Sequence, residues 1–194
     1  MQFLTELWLL ILLAAVLVFI ASSILHMATP WHKSDMKKMK CEDAILDAMR
    51  SNGLQPGAYM FPCAESMSAM GSPEIQEKMK RGPVGWLTVR PGGGFNLGAS
   101  LGGWFVYCLI VGVLVAYVGW YSVGASDDYL KVFRVAGAAA VLGYCVGYFQ
   151  DSIWKGQSWG TTGKFIIDGV IYALLTAGTF GWLWPEGVTL PGAG

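Results

Sequence analysis

Charged side chains are scarce in this chain. Asp, Glu, Lys and Arg make up 13% of its 194 residues, against roughly 25% in an ordinary soluble domain. Thirteen basic and thirteen acidic residues cancel, so no basic excess exists to meet a nucleic-acid backbone. There are two histidines, too few for a His-rich diiron or haem site. Pro91-Gly92-Gly93-Gly94-Phe95-Asn96 lacks the Gly-Lys-Ser/Thr ending of a phosphate loop and reads as a hinge. No nucleophile with a matched base stands out; only His26, His32 and Cys63 offer raw material for an enzyme. No catalytic residue is assigned, and no cofactor is implied.

Apolar residues, by contrast, reach 54%, aromatics 13%, and there are nine Trp. Four segments of about 20 residues have the length and apolarity to cross a ~30 Å hydrocarbon layer as helices. They are residues 4–27, about 101–123, about 129–153 and about 165–184. A cleaved signal peptide fits the first segment poorly. No Lys or Arg precedes it, its apolar run is long, and Ala21-Ser22-Ser23 is a weak cleavage site. The expected fold class is an all-α transmembrane four-helix bundle with a small α+β cytoplasmic insert between helices 1 and 2. The first helix lies within 1–27, the insert covers 28–99, and the other helices lie within 100–194.

Basic residues set the expected orientation. Nine of the thirteen fall between the first two spans, and Lys155 and Lys164 lie between the last two; only Lys131 and Arg134 are near the opposite face. Eleven against two puts the insert in the cytoplasm and both termini outside. Trp8, Trp120, Trp182 and Trp184 would mark the outer interface, with Trp104, Trp154 and Trp159 at the inner one. The expected location is the bacterial inner membrane.

Within the insert, 42–52 reads as a short helix stopped by Gly53. Ser72-Pro73 opens another helix ending near Arg81-Gly82-Pro83. Residues 58–61 and 84–90 suit short strands. About 70 residues make a thin core, so the insert is expected to lean on the bilayer or the spans.

Eight of nine methionines lie between Met27 and Met79. With His26, His32, Cys41 and Cys63 they form a soft donor set suited to copper(I). The spacing matches no recognised metal pattern, and Met also fills irregular apolar gaps. Cys41 and Cys63 should stay reduced in the cytoplasm, whereas Cys108 and Cys145 read as small apolar residues within spans.

The ionisable groups in the spans lie near their ends, where they cost least. Glu6 is expected to pair with Arg134, or Arg134 with Asp127 or Asp128. At the inner face Asp151, Lys155, Lys164 and Asp168 should gather, with Lys164 and Asp168 four apart on one helix face. This is either an orienting salt-bridge cluster or an ion relay. Gly137 to Ala140, Gly143 and Gly147 give span three a small-residue face for close helix approach, in a tight bundle or at an oligomer seam. Tyr107, Tyr117, Tyr144, Tyr148 and Tyr172 place hydroxyls among the small residues. Together, Tyr107, Tyr144, Tyr148, Asp151, Lys164, Asp168 and Tyr172 make the candidate ligand-binding set.

Asp151-Ser152-Ile153-Trp154, Asp168-Gly169 with Tyr172, and Thr176-Ala177-Gly178 through Phe180-Gly181-Trp182-Leu183-Trp184-Pro185 carry a resemblance. So do Met60-Phe61-Pro62 and Gly82-Pro83-Val84-Gly85. On these residues the chain resembles uncharacterised small bacterial four-helix inner-membrane proteins. The resemblance touches about half the chain; it implies the topology and no activity.

Three functional expectations follow. One is a non-enzymatic bundle that self-associates or joins a larger membrane complex, with membrane lipids as its surroundings and no nucleic-acid partner. Another is a binder or carrier of a lipid, quinone or other apolar small molecule. The last is soft-metal binding through the insert.

Overall fold

The computed structural model describes residues 2–94, 96–124 and 128–186. It is mostly helical, with four helical stretches long and apolar enough to cross a membrane: Trp8–Ala28, Leu97–Ser122, Tyr129–Lys155 and Trp159–Leu183.

The first stretch is prefaced by α1 (Gln2–Glu6) and continues as α2 (Trp8–Ser23). It ends in a single π turn, Ile24–Ala28. Pro30 has no N–H and disfavours helical backbone in the residue before it. Thr29 is accordingly extended, at φ −104° and ψ 156°. A tight turn follows, in which the N–H of Lys33 donates to the Pro30 carbonyl and that of Asp35 to the His32 carbonyl, each at 3.1 Å. Residues 29–36 thus form a strap at the end of the bundle.

The insert contains α3 (Glu42–Ser51), β1 (Gly57–Phe61), α4 (Pro73–Arg81) and β2 (Gly85–Val89). The strands pair antiparallel, Gly57 opposite Val89 and Phe61 opposite Gly85. Ser72 caps α4 by accepting from the Ile75 N–H, as the Ser-Pro start implies. Ile75 is the only buried side chain among the described residues from 37 to 94. The insert has almost no core of its own, as its size suggests.

Three further stretches complete the bundle: α5 (Leu97–Ser122), then α6 (Tyr129–Tyr144) with α7 (Tyr148–Lys155), then α8 (Trp159–Leu183). Helix α2 packs on α5 and α8, and α6 packs on the same two, giving a ring in the order α2, α5, α6, α8. The shared core includes Leu7, Val18, Cys108, Val115, Val132, Ala140 and Phe180. Cys108 and Cys145 are buried in it, as their positions in apolar runs suggest.

Two boundaries differ from the sequence reading. Helix α8 begins at Trp159, not near 165, because Ser158 caps it by accepting from the Thr161 N–H at 3.1 Å. Gly156 ends α7 just before, in a left-handed conformation (φ 73°) that costs glycine nothing. The third stretch, expected to be continuous, is broken at 145–147, where the bonds tighten to three-residue turns such as Tyr148 N–H to the Cys145 carbonyl. The Tyr107 hydroxyl donates to the Gly143 carbonyl at 2.5 Å, just before the break. A side chain from neighbouring α5 therefore serves this backbone, as an irregular helix in apolar surroundings requires.

The small residues of α6 are used within the chain. A Cβ on Gly143 would meet Val111 of α5 at 3.0 Å, and one on Gly137 would meet Ala177 of α8 at 3.4 Å. Gly147, Gly102 and Gly103 instead face open space.

Candidate functional site

Asp168 lies one-third of the way along α8 and is 2% exposed. A buried carboxylate needs partners for its lone pairs. The expected partner, Lys164, is one turn away on the same helix, but it turns to the strap instead. Its ammonium donates to the Trp31 carbonyl (2.8 Å), to Ser34 Oγ (2.8 Å) and to Asp35 Oδ1 (2.6 Å). Asp168 is met by His32, whose Nε2 lies 2.8 Å from Asp168 Oδ2. The other ring nitrogen of His32, Nδ1, lies 2.6 Å from Asp35 Oδ2. The result is a chain Lys164–Asp35–His32–Asp168 that closes the strap onto α8. The Lys164 ammonium beside Asp35 holds its carboxyl below the usual carboxylate range, opposed by burial and reinforced by His32.

Aromatic rings wall this network. Phe165 stacks on His32 (5.2 Å between centroids, 23°) and Tyr148 stacks on Phe165 (5.0 Å, 12°). His26, carried on the π turn, meets His32 edge to face at 4.2 Å. Single π turns recur at functional sites because they re-aim one side chain.

Beside the network is a cavity of about 320 Å³ between α2, α5, α7 and α8. Leu97, Leu101, Trp104, Phe165 and Met27 supply apolar wall; His26, Tyr148, Asp168 and Tyr172 bring polar groups. Trp104 is fixed there by donating from Nε1 to Ser22 Oγ at 2.7 Å. Two residues of this lining each carry a buried polar atom with no hydrogen-bond partner, Asp168 at Oδ1 and Tyr172 at its hydroxyl. Unsatisfied buried polar atoms are uncommon, and each needs a reason.

The sequence-level candidates sort as follows. Asp168, Tyr148 and Tyr172 line the cavity. Tyr144 is buried behind it against Trp104, Tyr107 and Tyr172, and Tyr107 serves the α6 break. Asp151 does not join Lys164 and Asp168. It pairs with Lys155 one turn on, at 2.6 Å, because α7 carries both on its own exposed side. The expected four-residue cluster is therefore two separate networks.

Glu6 and Arg134 are both exposed, and among the described residues no ion pair joins them or joins Arg134 to Asp128. Helix α1 packs on α5, and α6 sits across the ring from α2, while Asp128 caps α6 by accepting from the Lys131 N–H at 2.8 Å. Asp127 lies outside the described residues.

Of the proposed soft ligands, His26 and His32 come together, but Cys41 and Cys63 are free and exposed and are not in the group His26, His32, Asp168. Met36 and Met67 are 91% and 89% exposed. Asp35 went unnoticed in the sequence. Its signal was its place three residues after His32, in a turn started by Pro30, at the end of the bundle that also holds Lys164.

Comparison with protein families, with curated proteins and with solved structures finds no match for this chain.

Proposed function

We propose that the chain is a multi-pass membrane protein of the bacterial inner membrane that binds an amphipathic small molecule of the lipid or quinone class in this cavity. One observation carries the reading: Asp168 and Tyr172, each with a buried polar atom that has no hydrogen-bond partner, belong to the lining of a cavity whose wall is largely apolar and aromatic. Ligand pockets have this make-up, a few placed polar groups on an apolar lining. The Tyr172 hydroxyl donates and the Asp168 carboxylate accepts, which suits a head bearing an oxygen acceptor beside a hydroxyl donor.

Native mass spectrometry of the full chain from mild detergent, after exposure to decyl-ubiquinol or dioleoylglycerol, tests the reading. A one-to-one adduct is expected. Tyr172→Phe should weaken it about tenfold, the effect of one lost hydrogen bond of about 1.5 kcal/mol, and Leu101→Trp should abolish it by filling the cavity. Asp151→Asn, outside the cavity, should leave it unchanged. Retention that is equal in all four proteins, or absent from the native chain, would defeat the proposal. The second reading, self-association, is supported by the open glycines Gly102 and Gly103 on α5, and the same spectra report copy number.

The orientation we propose places the strap, the insert and the 156–158 turn in the cytoplasm, supported by the eleven-to-two distribution of Lys and Arg. Exposed Cys41 and Cys63 serve as reporters. A membrane-impermeant maleimide should label neither in spheroplasts and both in inverted vesicles, with the buried Cys108 and Cys145 reacting only after denaturation. Labelling in spheroplasts would invert the topology.

A further inference from the structure

We propose that His26, His32 and Asp168 form a binding site for a divalent transition-metal ion of the Zn²⁺ class, held at the edge of the cavity. The proposal does not rest on the small-molecule reading. One donor atom from each of the three side chains lies within 4.8 Å of the others, and His32 Nε2 and Asp168 Oδ2 are already 2.8 Å apart. Ligand atoms at ~2.0–2.1 Å from a tetrahedral ion stand about 3.3 Å from one another. Two of the three are near that spacing, and the third, His26, is an exposed side chain on the π turn, its ring 4.2 Å from that of His32.

Three independent features point to a cation. First, Asp168 is 2% exposed and its Oδ1 has no partner. It is a buried carboxylate with unused lone pairs, on a residue that lines the cavity together with His26. Second, His32 lies between two carboxylates, with Asp35 on Nδ1 and Asp168 on Nε2. A neutral imidazole has a single N–H and cannot donate to both. With Nδ1–H donated to Asp35, the Nε2 lone pair faces Asp168 unless a proton or a metal ion lies there. Third, Asp35 stands where metal-ligating histidines keep an orienting carboxylate, and Lys164 anchors it at 2.6 Å.

Two imidazoles and a carboxylate form a borderline donor set. It suits Zn²⁺, Fe²⁺ or Co²⁺ rather than copper(I), which prefers a set of thiolate and thioether ligands. Three protein ligands leave coordination open to a further molecule, as in metal sites that bind or transform one.

The test uses the full chain in mild detergent, stripped with chelator and titrated with Co²⁺, whose visible absorption reports nitrogen and oxygen ligation, then competed with Zn²⁺. One ion per chain is expected. His26→Ala removes an exposed side chain without disturbing the core and should weaken binding at least tenfold; Asp168→Asn should do the same. Asp35→Asn, which removes the carboxylate on His32 Nδ1 and weakens its tie to Lys164, should weaken it about 10–100-fold. Cys41→Ser/Cys63→Ser should bind as the native chain does. A stoichiometry well below one, or equal affinity in native and His26→Ala proteins, would overturn the site, as would loss of binding in the double cysteine variant. Tyr172→Phe and Leu101→Trp should retain the metal, so failure of the small-molecule reading and failure of this one are separate results.

Discussion

Lys164→Ala should free the strap from the bundle and cost about 2–3 kcal/mol. That is at or just below the low end of the range for breaking one side of a buried ion pair. The Lys164 side chain is 21% exposed and that of Asp35 9%, so water takes up part of the loss. The ammonium holds three oxygens of the strap at once, on Trp31, Ser34 and Asp35, and no other side chain among the described residues reaches all three. Without it, Asp35 keeps only His32, and the His32–Asp168 contact loses its outer support. Hydrogen exchange at residues 30–36 should quicken by one to two orders of magnitude, equivalent to the same free energy, while the middle of α5 stays protected. The double variant Asp35→Asn/Lys164→Met should be less destabilised than the two single changes added together, because no charge is then left unpaired. Unchanged exchange in the strap of Lys164→Ala would show that the network does not hold it.

The second large effect concerns Gly169. A Cβ there would lie 2.6 Å from the Tyr144 carbonyl oxygen and 2.7 Å from Cys145 Sγ. The obstacle includes backbone at the end of α6, which cannot rotate aside. Helices α6 and α8 make the most extensive contact in the bundle, and Gly169 marks their close approach. Gly169→Val should therefore cost at least the ~1–3 kcal/mol typical of overpacking, seen as a fall of several degrees in thermal unfolding followed by circular dichroism in detergent. Gly163, on the same helix, is the internal control. A Cβ there meets nothing within 4 Å, so Gly163→Ala should stabilise by up to about 1 kcal/mol from helix propensity alone. Opposite signs at two glycines six residues apart would separate packing from propensity. Equal effects would remove the close approach as the cause.

Helix existence was legible from residue order because its causes are local. Four long apolar stretches, and Ser72 and Pro73 opening α4, are properties of neighbours along the chain. The insert's two helices and two strands follow the same logic. The Gly-rich face of α6 was legible as a surface of close approach, but its use was not. Whether Gly143 meets Val111 or Gly147 meets open space depends on which helix lies alongside.

The polar site shows the same division. Residue order put Lys164 and Asp168 on one face of one helix and put both near the cytoplasm-facing end expected from the charges. Four-residue spacing makes a contact possible without choosing it. The choice followed from burial. Asp168 lies 2% exposed, where only a partner arriving from another segment can meet it, and the Pro30 turn delivers His32 and Asp35 to that depth. Lys164 then gains three acceptors on the strap instead of one on its own helix. The sequence by itself determined that this is a chain of four membrane-length apolar helices with its charges near the helix ends. Only the tertiary structure decided which of those charges meet, because a buried polar atom takes the partner that satisfies it, at whatever distance along the chain that partner lies.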